Sequence, residues 1–206
     1  MKLTLYHYWR SSSSWRVRLA LAHKNIPCDY ISVDLLKDEQ KSGTHLKRNP
    51  TGQVPALEVD GKFLGESIAI MEWLDENFKD KPLLSKDPWD HAQIRQLCQI
   101  INAGIQPVQN LKVMKYLTDD QAKRKEWSKH WIEQGFHAYE KFASQTAGKF
   151  SFGNTFSMAD CCLIPQVYNA HRFDVDLTSF PTIQKINENV SQTKAYKDSH
   201  PDRFQP

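Results

Sequence analysis

Hydrophobic and polar residues alternate in the first part of the chain and follow a helical spacing in the remainder. Residues 3–8 alternate as in a strand and lead into residues 17–22, which are predicted to be helical. Residues 31–35 alternate again and predict a half-buried second strand. The polar residues 37–48 predict a loop with a short helix. The chain therefore opens with a strand, a helix and a strand.

Two more strands and a helix are predicted to follow. Residues 54–64 should form a tight hairpin, because the pair Asp60-Gly61 favours a turn with positive φ. Ser67 is a predicted N-cap for the next helix, whose apolar face would carry Ile68, Met71 and Leu74. This order of elements predicts a small mixed sheet covered by helices.

The remainder of the chain is predicted to be helical. The polar segment 79–88, bracketed by prolines, is the predicted break, and no strand pattern follows it. A helix is expected at 89–106, to bend or stop at Pro107, and a long helix at 119–147. Apolar positions of the long helix include Trp127, Trp131 and Phe142.

The last part should begin with a capped helix. Ser157 and Asp160 have the spacing of a capping box, and one or two short helices are expected from Phe180 onward. The predicted fold is thus an α/β domain at 1–82, a linker at 83–87 and an all-helical domain at 88–206.

Composition excludes several classes of function. The chain has 206 residues, is 40% hydrophobic and 25% charged, and carries a formal net charge of +3. That charge is too small to indicate nucleic acid, and the lysines between 112 and 129 are interleaved with acidic residues, as on a solvated helix face. No apolar run approaches the ~20 residues needed to span a membrane, so we expect a cytoplasmic protein.

The cysteines and histidines indicate no metal. Cys28, Cys98, Cys161 and Cys162 form no Cys-x-x-Cys pair, and the eight histidines show no ligand motif. Buried free thiols are the predicted state, which agrees with a cytoplasmic location.

Four consecutive serines, Ser11 to Ser14, lie where the first strand meets the first helix. Serine is a good N-cap residue, and the first turn of a helix offers unpaired N–H groups and the positive end of the helix dipole. The serines therefore either cap the helix and fill a turn or, in addition, bind an anion.

Several motifs make this chain resemble the zeta class of soluble glutathione transferases. Two of them, residues 11–18 and residues 104–111, are fairly specific to that class. The others are more general: Asn49-Pro50 with Gln53-Val54-Pro55, and Met158-Ala159-Asp160 leading through Pro165-Gln166-Val167 to Arg172-Phe173. The resemblance implies a thioredoxin-like N-terminal domain, a helical C-terminal domain, bound glutathione and a homodimer.

The resemblance also implies the roles of individual residues. Ser11 matches the serine that donates to the glutathione thiolate, with Ser12 and Ser13 as nearby donors, although the sequence does not rank the three. The family usually has a cysteine where this chain has Ser13, so activities that depend on that thiol are not expected. Arg172 matches a substrate-binding arginine and Arg10 is a second candidate, although either could instead form a surface ion pair.

Other residues match glutathione contacts of the family. In the family the Val54-Pro55 bond is cis, so that the preceding backbone can pair with glutathione, whereas an ordinary proline bond is trans. Glu66 and Ser67 match the pair that binds the γ-glutamyl end, although they could simply begin a helix. Gln106 and Asn110 would share a helix face if Pro107 does not break it. Gln40 matches one further contact.

Three functions follow from these residues. The first is a glutathione-dependent cis–trans isomerase of maleylacetoacetate or a relative such as maleylpyruvate, which the family implies acts in the breakdown of aromatic amino acids. The second is a transferase that conjugates or dehalogenates small electrophiles. The third is a non-catalytic domain that binds partners.

Overall fold

The computed structural model describes residues 1–206, which divide into two compact units. One unit comprises residues 1–82 together with 193–206, and the other comprises residues 83–192. The first unit contains strands β1 (Leu3–His7), β2 (Asp29–Ser32), β3 (Ala56–Val59) and β4 (Lys62–Gly65) and helices α1 (Ser12–Lys24), α2 (Gly43–Arg48) and α3 (Ser67–Asn77).

The four strands form one mixed sheet in the order β2-β1-β3-β4. β2 is parallel to β1, whereas β3 is antiparallel to both β1 and β4. The predicted hairpin is confirmed, with positive φ at Asp60 (46°) and Gly61 (82°). Tyr6 pairs with Ala56, which pairs in turn with Gly65. The carboxyl ends of β1 and β4 and the start of β3 therefore meet at one edge of the sheet.

Two local predictions in this unit were wrong. The second strand lies at Asp29–Ser32 rather than at 31–35, because its pairing with β1 ends where Ser32 faces His7. Val33, just beyond the strand, is buried in a small cluster with Tyr8 and Val54. An apolar residue is therefore required at 33, and it extends the alternating pattern past the end of the strand. Ser67 is the first residue of α3 and not its cap, since Glu66 occupies that position with φ 63°.

α1 and α3 supply most of the core of this unit. They contribute fully buried side chains that pack with β1 and β3, namely Val17, Leu19, Leu21, Ile70, Met71, Leu74, Leu5 and Leu57.

The second unit is helical, as predicted. It contains α4 (Pro88–Gln99), which continues as a π-helix over Ile100–Ile105, followed by α5 (Leu111–Leu117), α6 (Gln121–Thr146), α7 (Met158–Arg172) and α8 (Pro181–Ser191). The chain leaves the helix before Pro107, as the sequence indicated. α5 was not predicted, because it is short and has no apolar periodicity long enough to recognise.

The long helix α6 lies close to its predicted position. Its buried residues include Ile132, Phe136, Tyr139 and Ala143. Phe142, predicted to be an apolar position, is 41% exposed because it lies to one side of the stripe formed by these buried residues.

The predicted capping box at the start of α7 is confirmed. Asp160 is fully buried, and its carboxylate accepts from the Ser151 N–H at 2.8 Å, the Ser157 N–H at 2.8 Å and the Ser157 hydroxyl at 3.0 Å. These bonds attach the loop before α7 to the helix itself.

The last helix, α9 (Lys194–Ser199), and a 3₁₀ turn at Pro201–Phe204 belong to the first unit. This differs from the expectation that residues 88–206 form one helical domain. The reason is a set of contacts with α1: the Trp15 indole donates to the Ser199 hydroxyl at 3.0 Å, and the Trp15 ring lies 5.7 Å from that of Tyr196.

All four cysteines are free thiols, of which Cys98, Cys161 and Cys162 are buried. None of the helices combines the length and the apolar character required to cross a lipid bilayer.

Candidate active site

One edge of the sheet gathers the predicted residues of the first unit. The segment from Ser11 follows β1, Val54-Pro55 precedes β3, and Glu66-Ser67 follows β4. The strand register places these three chain segments side by side, since Tyr6, Ala56 and Gly65 are paired neighbours. Residues far apart in the sequence are thus brought to one edge.

Ser11 is the N-cap of α1. Its backbone is extended (φ −69°, ψ 121°), and its hydroxyl oxygen accepts from the Ser14 N–H at 3.2 Å. Because the oxygen acts as the acceptor in this bond, the hydroxyl hydrogen remains available to donate to a ligand. Ser11 is half-buried, so its hydroxyl is within reach of solvent.

The structure separates the other three serines into two kinds. Ser12 and Ser13 are half-buried first-turn residues of α1, whose N–H groups have no partner within the helix. Ser14 is fully buried, and its hydroxyl accepts from the Tyr8 N–H at 3.4 Å. The first turn of α1 therefore offers the N–H groups of Ser12 and Ser13, while Ser14 holds the loop to the helix.

Arg18 contacts the loop that precedes Ser11. Its Nη2 donates to the Trp9 carbonyl at 2.8 Å, and its Nη1 lies 3.4 Å from the Tyr8 carbonyl and 3.0 Å from Nδ1 of His7. Burial and then the Arg18 charge lower the pKa of His7 to about 3, so that His7 is neutral and can accept from Arg18. Sequence reasoning missed Arg18, because only the folded chain shows these partners.

The low pKa of His7 makes the stability of the protein depend on pH. The unfolded chain binds a proton at this site below pH 6.5 and the folded chain does so only below about 3, so the free energy of unfolding should fall as the pH falls through that window. The variant His7→Asn keeps an acceptor but does not titrate, and should flatten this dependence in urea denaturation at a series of pH values.

The exposed Gln99 provides the control, since Gln99→Asn changes no titratable group and should leave the slope unchanged. His23, whose pKa is lowered to about 4 mainly by burial, should account for part of the slope that remains in His7→Asn. An unaltered slope in His7→Asn would contradict the assignment.

The Val54-Pro55 bond is cis, as the resemblance implied. The carbonyl before it, that of Gln53, accepts from Nε2 of His45 at 2.9 Å and from Nδ2 of Asn49 at 3.0 Å. A peptide unit is planar and trans, so fixing this carbonyl also fixes the direction of the Val54 N–H. The sequence did not predict that His45 belongs to the site. The nearby Asn49-Pro50 motif is the only feature of the sequence that points to this part of the chain.

A buried arginine of α1 brings a positive charge to the start of α3, and the sequence did not indicate this contact. The Ser67 hydroxyl accepts from Nη1 of Arg16 at 3.1 Å, and the Arg16 side chain is fully buried. A guanidinium next to free N–H groups at a helix start favours a carboxylate. Glu66 is exposed, so its carboxylate can meet a cation.

Two further predicted residues, Gln40 and Arg10, belong to the first unit. Gln40 donates to Oδ1 of Asp38 at 3.1 Å, and its own amide oxygen is buried without a hydrogen-bond partner. The Arg10 guanidinium lies 5.2 Å from the centre of the Trp9 ring and is half-buried.

The second unit contains the other three predicted residues. Gln106 ends the π-helix, and Asn110 caps α5 by accepting from the Lys112 N–H at 3.0 Å. The two residues do not share a helix face, because the helix ends before Pro107 and the chain makes a turn between them. Gly135 of α6 anchors this segment: a Cβ there would lie 2.3 Å from Cδ1 of Ile105.

Arg172 lies in the last turn of α7 and is exposed. Its Nη1 donates to Oδ1 of Asn169 at 3.1 Å, and its guanidinium lies 5.7 Å from the centre of the Phe173 ring.

Comparison with known proteins identifies the family. Residues 1–76 match the family model "Glutathione S-transferase, N-terminal domain" and residues 108–199 match "Glutathione S-transferase, C-terminal domain". The chain is 47% identical to a probable maleylacetoacetate isomerase of Drosophila melanogaster, over 96% of this chain and 87% of the relative. It is 46% identical to the maleylacetoacetate isomerase of Rattus norvegicus, over 98% of this chain and 94% of the relative.

Solved structures of similar proteins indicate the same family. A bacterial zeta-class maleylpyruvate isomerase in its holo form superposes with a TM-score of 0.95 at 37% identity, covering 98% of both chains. A maleylacetoacetate isomerase from Anaeromyxobacter dehalogenans with glutathione in its active site gives a TM-score of 0.90 at 43% identity, covering 100% of this chain and 97% of the other. The chain belongs to the zeta class of glutathione transferases, the family of the maleylacetoacetate isomerases.

Proposed function

We propose that this protein is a glutathione-dependent cis–trans isomerase acting on maleylacetoacetate or a close relative such as maleylpyruvate. Relatives that carry these names match the chain over nearly its full length. The observation that carries the proposal is the half-buried Ser11 hydroxyl, which caps α1 through its oxygen and keeps its hydrogen for a ligand.

The residues present fit glutathione, whose tripeptide has a thiol, two carboxylates and an ammonium group. Ser11, with Ser12 and Ser13 beside it, would meet the sulfur. Ser67 and the buried Arg16 would hold the γ-glutamyl carboxylate, and Glu66 would hold the ammonium.

The remaining contacts are assigned by the family motif and supported by local geometry. The Val54 backbone before Pro55 would pair with the cysteinyl part of the tripeptide, and the buried amide oxygen of Gln40 would accept from it. Gln106 and Asn110 of the second unit complete the proposed set.

The hydrogen-bond donors at the start of α1 are strong enough to keep the glutathione sulfur ionised. An ordinary thiol has a pKa near ~8.5, and lowering it by about two units requires roughly 2.7 kcal/mol of preference for the anion. A hydrogen bond to a charged group supplies ~1.5–3 kcal/mol, and a helix N-terminus supplies ~0.3–1 kcal/mol more. The Ser11 hydroxyl and the start of α1 are therefore sufficient together.

When bound, glutathione supplies a thiolate that adds to the cis double bond, which lets the central bond rotate before the thiolate leaves and the trans alkene forms. Ser11 holds the sulfur ionised before addition and again after departure. Arg172, and Arg10 as the second candidate, hold the substrate carboxylate and the negative charge that develops on the carbonyl oxygen.

The test is to follow isomerisation with and without glutathione while measuring the free thiol. The proposal expects no turnover without glutathione and full recovery of the thiol afterwards. Equal rates in both conditions would contradict it. Stoichiometric loss of thiol would favour the transferase that conjugates or dehalogenates electrophiles, and failure to bind glutathione in calorimetry would favour the non-catalytic domain.

Replacing Arg172 should weaken binding of the diketo acid more than it changes the binding of glutathione. Replacement by lysine keeps the charge but removes the planar fork, so KM for the diketo acid should rise roughly tenfold while KM for glutathione stays unchanged. Steady-state kinetics with each substrate varied in turn measures both. The exposed Arg95→Lys is the control, because it makes the same change of head group on another helix. An unchanged KM in Arg172→Lys would exclude this role.

We also propose that the enzyme is cytoplasmic, forms a homodimer and acts in the breakdown of aromatic amino acids. Three buried free thiols favour a reducing compartment.

Exposed apolar side chains of the first unit, Tyr30, Ile31 and Phe63, are compatible with a subunit interface. Light scattering across a dilution series would reveal the oligomeric state, and a monomer at micromolar concentration would contradict the dimer.

A further inference from the structure

Arg18 is a buried cation that has no carboxylate partner. Its side chain is fully buried, although a buried guanidinium is costly unless its N–H groups are bonded. All its hydrogen-bond partners are neutral: the carbonyls of Tyr8, Trp9 and Ser199, and Nδ1 of His7. A cation buried in this way serves to bind carbonyl groups from separate parts of the chain.

One side of the guanidinium holds the loop before α1. The Trp9 carbonyl lies 2.8 Å from Nη2 and the Tyr8 carbonyl 3.4 Å from Nη1. The same Tyr8 carbonyl accepts from the Ser11 N–H at 3.1 Å. Arg18 therefore shares an acceptor with the backbone of the residue whose hydroxyl is proposed to meet the sulfur.

The other side of the guanidinium is held by the C-terminal segment, residues 193–206. Nε donates to the Ser199 carbonyl at 3.2 Å, and the Phe204 ring lies 4.6 Å from the centre of the guanidinium. The Phe204 ring also lies 5.3 Å from His7 and 5.0 Å from Tyr30. An aromatic face over a desolvated cation stabilises it and restricts its plane.

We propose that Arg18, oriented by Ser199 and Phe204, is a positioning residue for Ser11. The planar fork of Arg18 fixes the carbonyls of Tyr8 and Trp9, and these fix the backbone of Ser11, whose hydroxyl must point at the sulfur. The C-terminal segment thereby acts on the chemistry of the sulfur without touching it. This inference rests on the proposed function, because it takes Ser11 as the donor to the thiolate.

Two variants test it. Arg18→Lys keeps the charge but cannot bond three carbonyls in one plane, and Phe204→Ala removes the ring from a partly exposed position and should fold. The readout is the ultraviolet absorbance of the thiolate in the enzyme–glutathione complex as a function of pH, together with kcat, KM for glutathione and the melting temperature.

We expect the pKa of the bound thiol to rise by about one unit in Arg18→Lys, so that the thiolate fraction at neutral pH and kcat fall roughly threefold. A smaller fall of roughly 1.5-fold is expected in Phe204→Ala, because only the aromatic contact is lost. Phe204→Tyr keeps an aromatic face and should retain the wild-type titration. KM for glutathione should change less than kcat in Arg18→Lys and in Phe204→Ala.

Lys24→Met is the matched control for loss of stability. Lys24 is another buried cation on α1, bonded to Asp75 at 2.7 Å and to the carbonyls of Asp80 and Lys81, and it does not contact the loop before Ser11. Its replacement should lower the melting temperature but leave the thiolate titration unchanged. A shift in Lys24→Met equal to that in Phe204→Ala would show that stability alone is involved and would overturn the inference.

Ser11→Ala distinguishes this inference from the proposed function. If Ser11→Ala leaves the thiolate titration unchanged, the proposed role of Ser11 fails. If Ser11→Ala abolishes the thiolate while Arg18→Lys and Phe204→Ala titrate like the wild type, the proposed function stands and the positioning role of Arg18 is wrong.

Discussion

Ser11→Ala is expected to lower kcat by ~4- to 25-fold at neutral pH, because the pKa of the bound thiol should rise toward its ordinary value and the thiolate fraction should fall. The reason is the loss of one hydrogen bond to a charged sulfur, equivalent to ~1.5–3 kcal/mol. The deficit should shrink as the pH is raised, because the thiol then ionises without help. Steady-state rates at saturating glutathione across a pH series, together with the thiolate absorbance of the complex, measure the effect.

Ser42→Ala is the matched control. Ser42 is also an N-cap serine of the first unit, and its hydroxyl accepts from the His45 N–H at 3.2 Å, the same length as the cap of Ser11. Both substitutions should cost about 1 kcal/mol of stability through the lost cap, but only Ser11→Ala should affect the sulfur. Wild-type rates and thiolate absorbance in Ser11→Ala would contradict the proposed mechanism.

Asp160→Ala should cost about 3–5 kcal/mol in the free energy of unfolding, because the substitution leaves three buried donors without an acceptor. These donors are the N–H groups of Ser151 and Ser157 and the Ser157 hydroxyl. Urea denaturation followed by tryptophan fluorescence measures the loss.

Asp176 makes similar hydrogen bonds at the surface of the protein and therefore provides a comparison. Its carboxylate also caps a turn, accepting from the Thr178 N–H at 2.9 Å and the Thr178 hydroxyl at 2.8 Å, but solvent can replace those bonds. Asp176→Ala should therefore lose much less stability than Asp160→Ala. Equal losses would mean that the burial of Asp160 does not determine its effect.

Local patterns predicted much of the fold. Alternation located β1, the Asp-Gly pair located the hairpin, and the Ser157–Asp160 spacing located the start of α7. The same rules failed where burial came from tertiary contacts. Val33 is buried after its strand has ended, and the short helix α5 is too brief to give a periodic signal.

The candidate site was predictable only as far as its motifs extend. The motif residues Ser11, Val54 and Ser67 lie at one sheet edge, as strand pairing requires. The buried arginines next to them could not be assigned from sequence, since Arg16 and Arg18 look like ordinary helix residues until their partners, 51 and 181 residues away, are known. Long-range contacts of this kind leave no local pattern.

The position of residues 193–206 has a consequence for biosynthesis. The sheet and its first helix are translated early, but the partners of Trp15 and Arg18 leave the ribosome only after the whole helical unit has been made. Until then the nascent sheet keeps an indole and a guanidinium without their final acceptors. The segment that is synthesised first is therefore completed last.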